Sequence, residues 1–324
     1  MLDKKNIFLA GSTGMAGMSI LKYILDNCSP AKIKAAYHVT DPIIKHEQID
    51  YISGDLKSLD DCRAMVRGCD CAIMAAAYAG GADFVRSFPW QHMKENLDMN
   101  MCMLEAFHLE NVKRIIFIGS AAVYQAFEGS IRENELDFNK DPHQAYFGFA
   151  WGMRFIEKMC EFLSQKFGME IIIVRLANIF GPYDKFEPQR SNFIPALVRK
   201  AVDKMDPFEV WGTPDVTRDV LFSSDFAEAI AKMLEKADLK FEIFNLGSGK
   251  KTTVGEVVTC ALQSAGHNPR AIKYVQDKPM TIKFRALDVT KVKMMLGWEP
   301  RNSVDEGIRK TVEWWKTNQL KWLK

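Results

Sequence analysis

The sequence predicts an α/β fold, a doubly wound parallel sheet with a smaller C-terminal mixed α/β lobe. Two observations point there. Short apolar, β-rich runs alternate with segments of helical periodicity, the pattern of right-handed βαβ crossovers that cover a sheet on both faces. A turn containing three glycines follows the first apolar run, and no repeat or low-complexity tract interrupts the alternation.

Taken in order, the elements are a strand "NIFLAG", a helix from about Met15, strands "IKAAYH" and "IDYISG", and a helix through "LDDCRAMV". A strand "CAIMAAA", a long helix through "ENLDMNMCMLEAF" and a strand "RIIFIGS" come next. "EIIIVRLANIFGP" supplies a further buried strand, after which "FEVWGTPDVTRDVLFSSDF" and "FNLGSGKKTTVGEVV" mix short strands, turns and helices.

Composition limits the function. The 324 residues and 48% hydrophobic content suffice for one large α/β domain with an added lobe. Lys and Arg number 43 against 41 Asp and Glu, a net charge of +2, and no basic stripe with interleaved aromatics indicates nucleic acid. A small molecule is the expected partner. The seven cysteines lack the CxxC spacing of a zinc site and the dense pattern of a secreted disulfide scaffold, so reduced thiols and no metal are expected. The N-terminal apolar run ends in glycines without the features of a signal peptide or a membrane span, which places the protein in the cytoplasm with no membrane partner.

In "IFLAGSTGMAG", Gly11 permits a tight turn, Gly14 lets backbone approach a pyrophosphate, and Gly17 lets the following helix pack closely on the strand. Thr13 and Met15 lie within the turn, where free N–H groups at the helix N-terminus face an anion. The spacing therefore predicts a Rossmann-type dinucleotide-binding domain over residues 1–181, with residues 182–324 forming mainly a substrate lobe and sending segments back to the first domain.

The GxxGxxG spacing resembles the short-chain dehydrogenase/reductase superfamily, in its extended, nucleotide-sugar branch of NAD-dependent epimerases and dehydratases. "GDL" matches the adenine-contacting segment, giving Asp55 and Leu56, and "MAAAYAGG" matches the strand beneath the cofactor, giving Ala75, Ala76 and Ala77. "VRLANIFGP" matches "LRxxNvyGP", giving Leu176 on the cofactor side and Asn178 on the substrate side. Relatives that prefer NAD carry an acidic residue at the end of the second strand, but Tyr37 and His38 stand here. NAD is the expected cofactor, with His38 placed either to stack on the adenine or to lie near a 2′-phosphate, and NADP left open.

"WGTPDVTRDVLFSSDF" resembles a segment whose arginine, here Arg218, grips the diphosphate of a nucleotide sugar, a task suited to the planar guanidinium fork. "GPYDKFEPQRSNFIPALVRK" is most similar to GDP-L-fucose synthase-like enzymes, which implies a GDP-linked hexose or heptose as ligand. Asn192, Lys200, Trp211 and Arg285 join Asn178 and Arg218 as implied substrate contacts, and a homodimer or tetramer is the implied assembly.

The resemblance breaks at the proton-handling residues. "IFIGSAAVYQ" retains the serine that bonds the reacting sugar hydroxyl, here Ser120. Counting on from Tyr124 and back from Arg175, however, puts Phe149 and Met153 at the positions of the Tyr and Lys that act as acid and base. The Cys and His that assist epimerisation correspond to Ala122 and Asn192. The literal Tyr-x-x-x-Lys at Tyr274 and Lys278 precedes Pro279 in an extended stretch, which is the wrong context. If the helix began one turn earlier, Tyr146 would share a face with Phe149 and Met153 and could offer a substitute hydroxyl. Without the Thr-Asp-Glu of dehydratases near Ser120, dehydration is set aside. Three readings stay open: a C4 oxidoreductase or epimerase with non-standard acid/base residues, a non-catalytic sensor or subunit that binds cofactor and nucleotide sugar, and a chain altered at these two positions.

Overall fold

The structure, a computed structural model, describes residues 2, 4–188, 190–275 and 286–322. The first half of the chain runs β1 (Asn6–Ala10), α1 (Met15–Asn27), β2 (Lys32–Tyr37), β3 (Ile49–Ser53), α2 (Leu59–Val66), β4 (Cys71–Met74), α3 (Ala82–Ser87), α4 (Pro89–Leu109), β5 (Arg114–Ser120), β6 (Ser130–Ile131) and α5 (Phe147–Phe167). The second half runs β7 (Glu170–Leu176), β8 (Asn178–Phe180), α6 (Phe193–Val202), β9 (Phe208–Trp211), β10 (Thr217–Arg218), β11 (Val220–Phe222), α7 (Ser223–Glu235), β12 (Phe241–Leu246), β13 (Thr252–Thr253), α8 (Val254–Ala265), β14 (Ile272–Val275), β15 (Ala286–Leu287), α9 (Thr290–Leu296) and α10 (Val304–Trp322).

Seven strands form one parallel sheet in the order β12-β7-β5-β4-β1-β2-β3. The chain leaves β1 toward β2 and returns across it to β4, so the order reverses at β1, the position at which open parallel sheets bind ligands beyond their strand ends. Alternation sends Ile7 and Leu9 into the core under α1 and α7, and Phe8 and Ala10 into the core under α2, α4 and α5. A third core joins α6, α8 and α10, where Phe186 stacks on Trp315 with ring centroids 4.1 Å apart.

Two strands differ from expectation. "CAIMAAA" stops pairing at Met74, because the backbone at Ala75 and Ala76 is where the turn at Gly11 packs. "EIIIVRLANIF" divides at Ala177, whose N–H donates to the Leu246 carbonyl at 2.8 Å. The next N–H, of Asn178, turns to the Asp219 carbonyl at 3.2 Å, and β8 then pairs with β11 instead of extending the main sheet.

One buried charge pair joins helix to sheet. Arg175 on β7 donates from Nε and Nη2 to both carboxylate oxygens of Glu157 on α5, at 3.0 and 2.8 Å, with each residue only 3% exposed. Burial alone would weaken the guanidinium, but the hydrogen bonds and charge of Glu157 outweigh it and hold Arg175 above its ordinary pKa. Removing one partner strands the other charge. Glu157→Ala should therefore destabilise the chain by about 3–5 kcal/mol, measured by urea denaturation.

Candidate functional site

The glycine turn is built by contact. Gly11 sits at φ +75, and a Cβ there would meet the Ala76 backbone at 2.7 Å. A Cβ on Gly17 would come within 2.2 Å of the Gly11 carbonyl, so the third glycine lets α1 close onto the turn. Gly14 differs, because its Cβ would meet only the Gly11 carbonyl, at 3.5 Å. It caps α1 with no side-chain hydrogen bond, so nothing of its own covers the outer side of the turn. Ser12, which the sequence pattern did not single out, ties the turn to β2 by donating from Oγ to the Ala36 carbonyl at 2.8 Å. Uncovered helix N–H groups above a glycine that leaves space suit a pyrophosphate.

The other expected cofactor residues border the same edge of the sheet. Thr13 is half-buried in the turn, and His38 lies exposed just past β2. Asp55 follows β3, where its carboxylate accepts from Lys57 N at 3.0 Å and its N–H donates to Asp61. Leu56 and Leu176 are half-buried. Ala75 and Ala76 are half-buried and Ala77 is exposed, in a loop held by buried Asn96 of α4. Asn96 accepts from Tyr78 N at 3.0 Å and donates to Tyr78 O at 2.9 Å. Like Ser12, it escaped sequence reasoning, since Asn in a helix reads as a polar face until the helix is seen to be buried.

A cavity of about 580 Å³ opens beside the turn. Met15, Asn178, Asn192, Lys200, Trp211 and Arg218 are among its lining residues. Lys200 Nζ donates to the Glu209 carbonyl at 2.8 Å and stands 5.9 Å from the Trp211 ring centre. Trp211 is 43% exposed, which marks it as a cavity wall instead of core. Burial lowers the pKa of both Lys200 and Arg218, as expected for cations set in a protein wall. Arg199 also lines the cavity and was missed by sequence reasoning.

Asp219, the residue after Arg218, was likewise missed. Its buried carboxylate accepts from Ser248 N, Ser248 Oγ, Gly249 N and Leu287 N at 2.7–3.2 Å, which fixes the strand that carries Arg218. The adjacent "RD" was its only sequence signal. Arg285 and Lys278 lie outside the described residues.

The start of α5 corrects one expectation. Tyr146 does not share a helical face with Phe149 and Met153; it closes a 3₁₀ turn (Gln144–Tyr146) and caps α5, which begins at Phe147. Released from the helix, it lines the cavity near enough to Arg218 for the two to interact electrostatically. Phe149 instead packs back toward α4, its ring stacked on His92 with centroids 4.3 Å apart. Met153 is buried, and its sulfur accepts from Asn100 Nδ2 at 3.7 Å. Ser120 ends β5, its Oγ accepting from Ala122 N at 3.1 Å. Neither Ser120, Phe149 nor Met153 belongs to the wall of the cavity.

These features define a Rossmann-type α/β fold with a cation-lined cavity beside its glycine turn. The chain belongs to the NAD dependent epimerase/dehydratase family, whose model matches residues 7–247. NAD is therefore the cofactor of its family, in agreement with the sequence expectation. It is 28% identical over 324 residues to GDP-mannose 3,5-epimerase 1 of Oryza sativa subsp. japonica, covering 97% of this chain and 82% of the relative. It is 26% identical over 331 residues to the GDP-L-fucose synthase of Sinorhizobium fredii, covering 98% of each. The fold superposes on UDP-glucose 4-epimerase from Thermotoga maritima with a TM-score of 0.85 at 21% identity, covering 97% of this chain and 99% of the other. It superposes on dTDP-glucose 4,6-dehydratase DesIV from Streptomyces venezuelae, solved with NAD, with a TM-score of 0.86 at 20% identity and 98% coverage of both. Among the described residues, no helix is long and apolar enough to cross a membrane.

His92, 5% exposed, has its pKa pulled from 6.5 to about 4 by burial. Between those values the unfolded chain binds the extra proton, so this contribution to stability is complete above the unfolded pKa and is lost as pH falls toward about 4. The expected loss is up to about 1.4 kcal/mol per pH unit, and His92→Phe should remove it in urea denaturation compared at about pH 7 and about pH 4.5.

Proposed function

We propose that the protein is a cytoplasmic, NAD-dependent oxidoreductase or epimerase of a nucleotide sugar, a GDP-linked hexose or heptose, with hydride exchanged at C4 of the sugar. The observation that carries this reading is the single cavity that gathers Tyr146, Asn178, Asn192, Lys200, Trp211 and Arg218 beside the glycine turn. Relatives named as GDP-sugar enzymes support the choice of nucleotide. Residues 1–181 would hold the cofactor and residues 182–324 mainly the sugar nucleotide, with β12 returning to the large sheet.

The turn at Gly11, Gly14 and Gly17 would hold the pyrophosphate on the N–H groups of α1, and the nicotinamide would supply the hydride acceptor. Asp55, Leu56 and the Ala75–Ala77 loop border its adenine half. Arg218 meets the diphosphate of the sugar nucleotide and holds it across the cleft. Tyr146, in the cavity wall, and Ser120, at the end of β5 outside that wall, are the two hydroxyls assigned to the sugar proton, without a lysine to assist. A homodimer or tetramer is supported by the outer apolar face of α4 and α5, where Met101, Leu109, Phe155, Phe162 and Phe167 are exposed.

A second reading, a binding protein without turnover, is supported by the packing of Phe149 on His92 and of Met153 against Asn100, settled contacts at the two positions that the sequence resemblance aligns with the proton-handling pair.

Calorimetry and single-turnover absorbance with NAD and a panel of GDP-sugars separate the two. Catalysis predicts cofactor reduction by at least one sugar, with Tyr146→Phe and Ser120→Ala each slowing it, by up to about 10²–10⁴-fold. Arg218→Ala should weaken GDP-sugar binding by about 1.5–3 kcal/mol, and Gly14→Val should abolish NAD binding with the fold intact. Binding of both ligands without reduction would establish the second reading. In that event the double variant Phe149→Tyr, Met153→Lys gains hydride transfer only if the rest of the site is already in place.

A further inference from the structure

Away from the cleft, the sulfurs of Cys62 on α2 and Cys102 on α4 lie 3.7 Å apart, across the packed face between these helices. Cys62 is fully buried and Cys102 is partly exposed. The Cys62 thiol also donates to the Leu56 carbonyl at 3.3 Å, with the Asp55 carbonyl at 3.9 Å. A single thiol therefore reaches both a reachable partner sulfur and the backbone of the loop that leaves β3.

We propose that Cys62 and Cys102 form a reversible disulfide that releases the Asp55–Leu56 loop and lowers the affinity for NAD. The effect on NAD rests on the assignment of that loop to the adenine half of the cofactor. A disulfide needs sulfurs about 2 Å apart, so each side chain has less than an ångström to travel if both move.

A peroxide supplies the oxidising equivalents. The Cys102 thiolate attacks one oxygen of hydrogen peroxide, and the O–O bond breaks, leaving a sulfenic acid and hydroxide that is protonated to water. The Cys62 thiolate then attacks the sulfenic sulfur, forming the S–S bond and expelling the second oxygen as hydroxide, which becomes a second water. Two thiols are oxidised and one peroxide is reduced, with both thiol protons ending on water. A thiol donor reduces the bond again by exchange.

The consequence for the loop does not depend on how far the sulfurs move. A disulfide carries no S–H, so the Leu56 carbonyl loses the donor itself. Burial raises the pKa of both thiols, and the nearby Cys102 raises Cys62 further. Thiolate is therefore scarce at neutral pH, and the reaction should quicken as pH rises.

The test treats the purified full chain with hydrogen peroxide, maps cysteines by non-reducing peptide mass spectrometry, and measures NAD affinity before oxidation, after it, and after dithiothreitol. A Cys62–Cys102 link is expected, with NAD affinity lowered about two- to tenfold, the scale of one neutral hydrogen bond, and restored by reduction. Cys102→Ser should bind NAD as the reduced wild-type chain does and should not respond to peroxide. Oxidation of Cys102 to sulfenic or sulfinic acid with Cys62 still a thiol would overturn the pair. A mapped link with unchanged affinity would overturn the switch. Failure of the reduced chain to bind NAD would remove the cofactor assignment beneath the effect, and that failure appears before any oxidant is added.

Discussion

The Arg175–Glu157 pair is the constraint on which the placement of the site depends. Two ions removed from water cost several kcal/mol each unless every donor and lone pair is answered. Here the guanidinium also donates to Tyr124 Oη at 3.0 Å and to the Glu133 carbonyl at 2.8 Å. Tyr124, its phenol pushed up to about 12 by burial, donates a hydrogen bond to Asn245 Oδ1 at 2.6 Å, and Asn245 Nδ2 donates to the Ile131 carbonyl at 2.8 Å. One network thus joins α5, β7, β12 and the segment after β5.

That network settles how α5 can lie. The helix is pinned from below by Glu157, one turn past Met153, so its first turns must pass beside α4 and the end of β5. Phe149 and Met153 then meet His92 and Asn100, and polar groups on α4 that would otherwise be costly to bury find aromatic and sulfur partners. Tyr146, outside the helix, escapes this constraint and turns to the cavity. Position relative to one helical start separates a packed aromatic from a tyrosine that lines the cavity.

The glycine turn was legible because its three residues act through local backbone geometry that spacing records. So was α2, found at Leu59–Val66 with Ser58 accepting the Asp61 N–H as its cap. The start of α5 was not legible, since tertiary anchoring and not periodicity decided whether Tyr146 joined the helix. Asn96, Asn100 and His92 are polar residues whose burial no local pattern records, and the packing of α4 is what reveals it. Asp219 and the Cys62–Cys102 contact depend on partners distant in the chain, which no local pattern carries. The division of "VRLANIF" into two sheets had the same origin, as Asn178 answers Asp219 across 41 residues.

The late arrival of β12 gives the molecule a vulnerable period during synthesis. Until Phe241–Leu246 has left the ribosome, β7 is an edge strand, and its run Ile171, Ile172, Ile173 and Val174 is fully buried in the finished sheet. An apolar, β-branched edge with unpaired backbone groups is a template for other chains. A nascent chain stalled before that point, or a fragment cut there, carries an adhesive margin that the complete protein hides with its own last sheet strand.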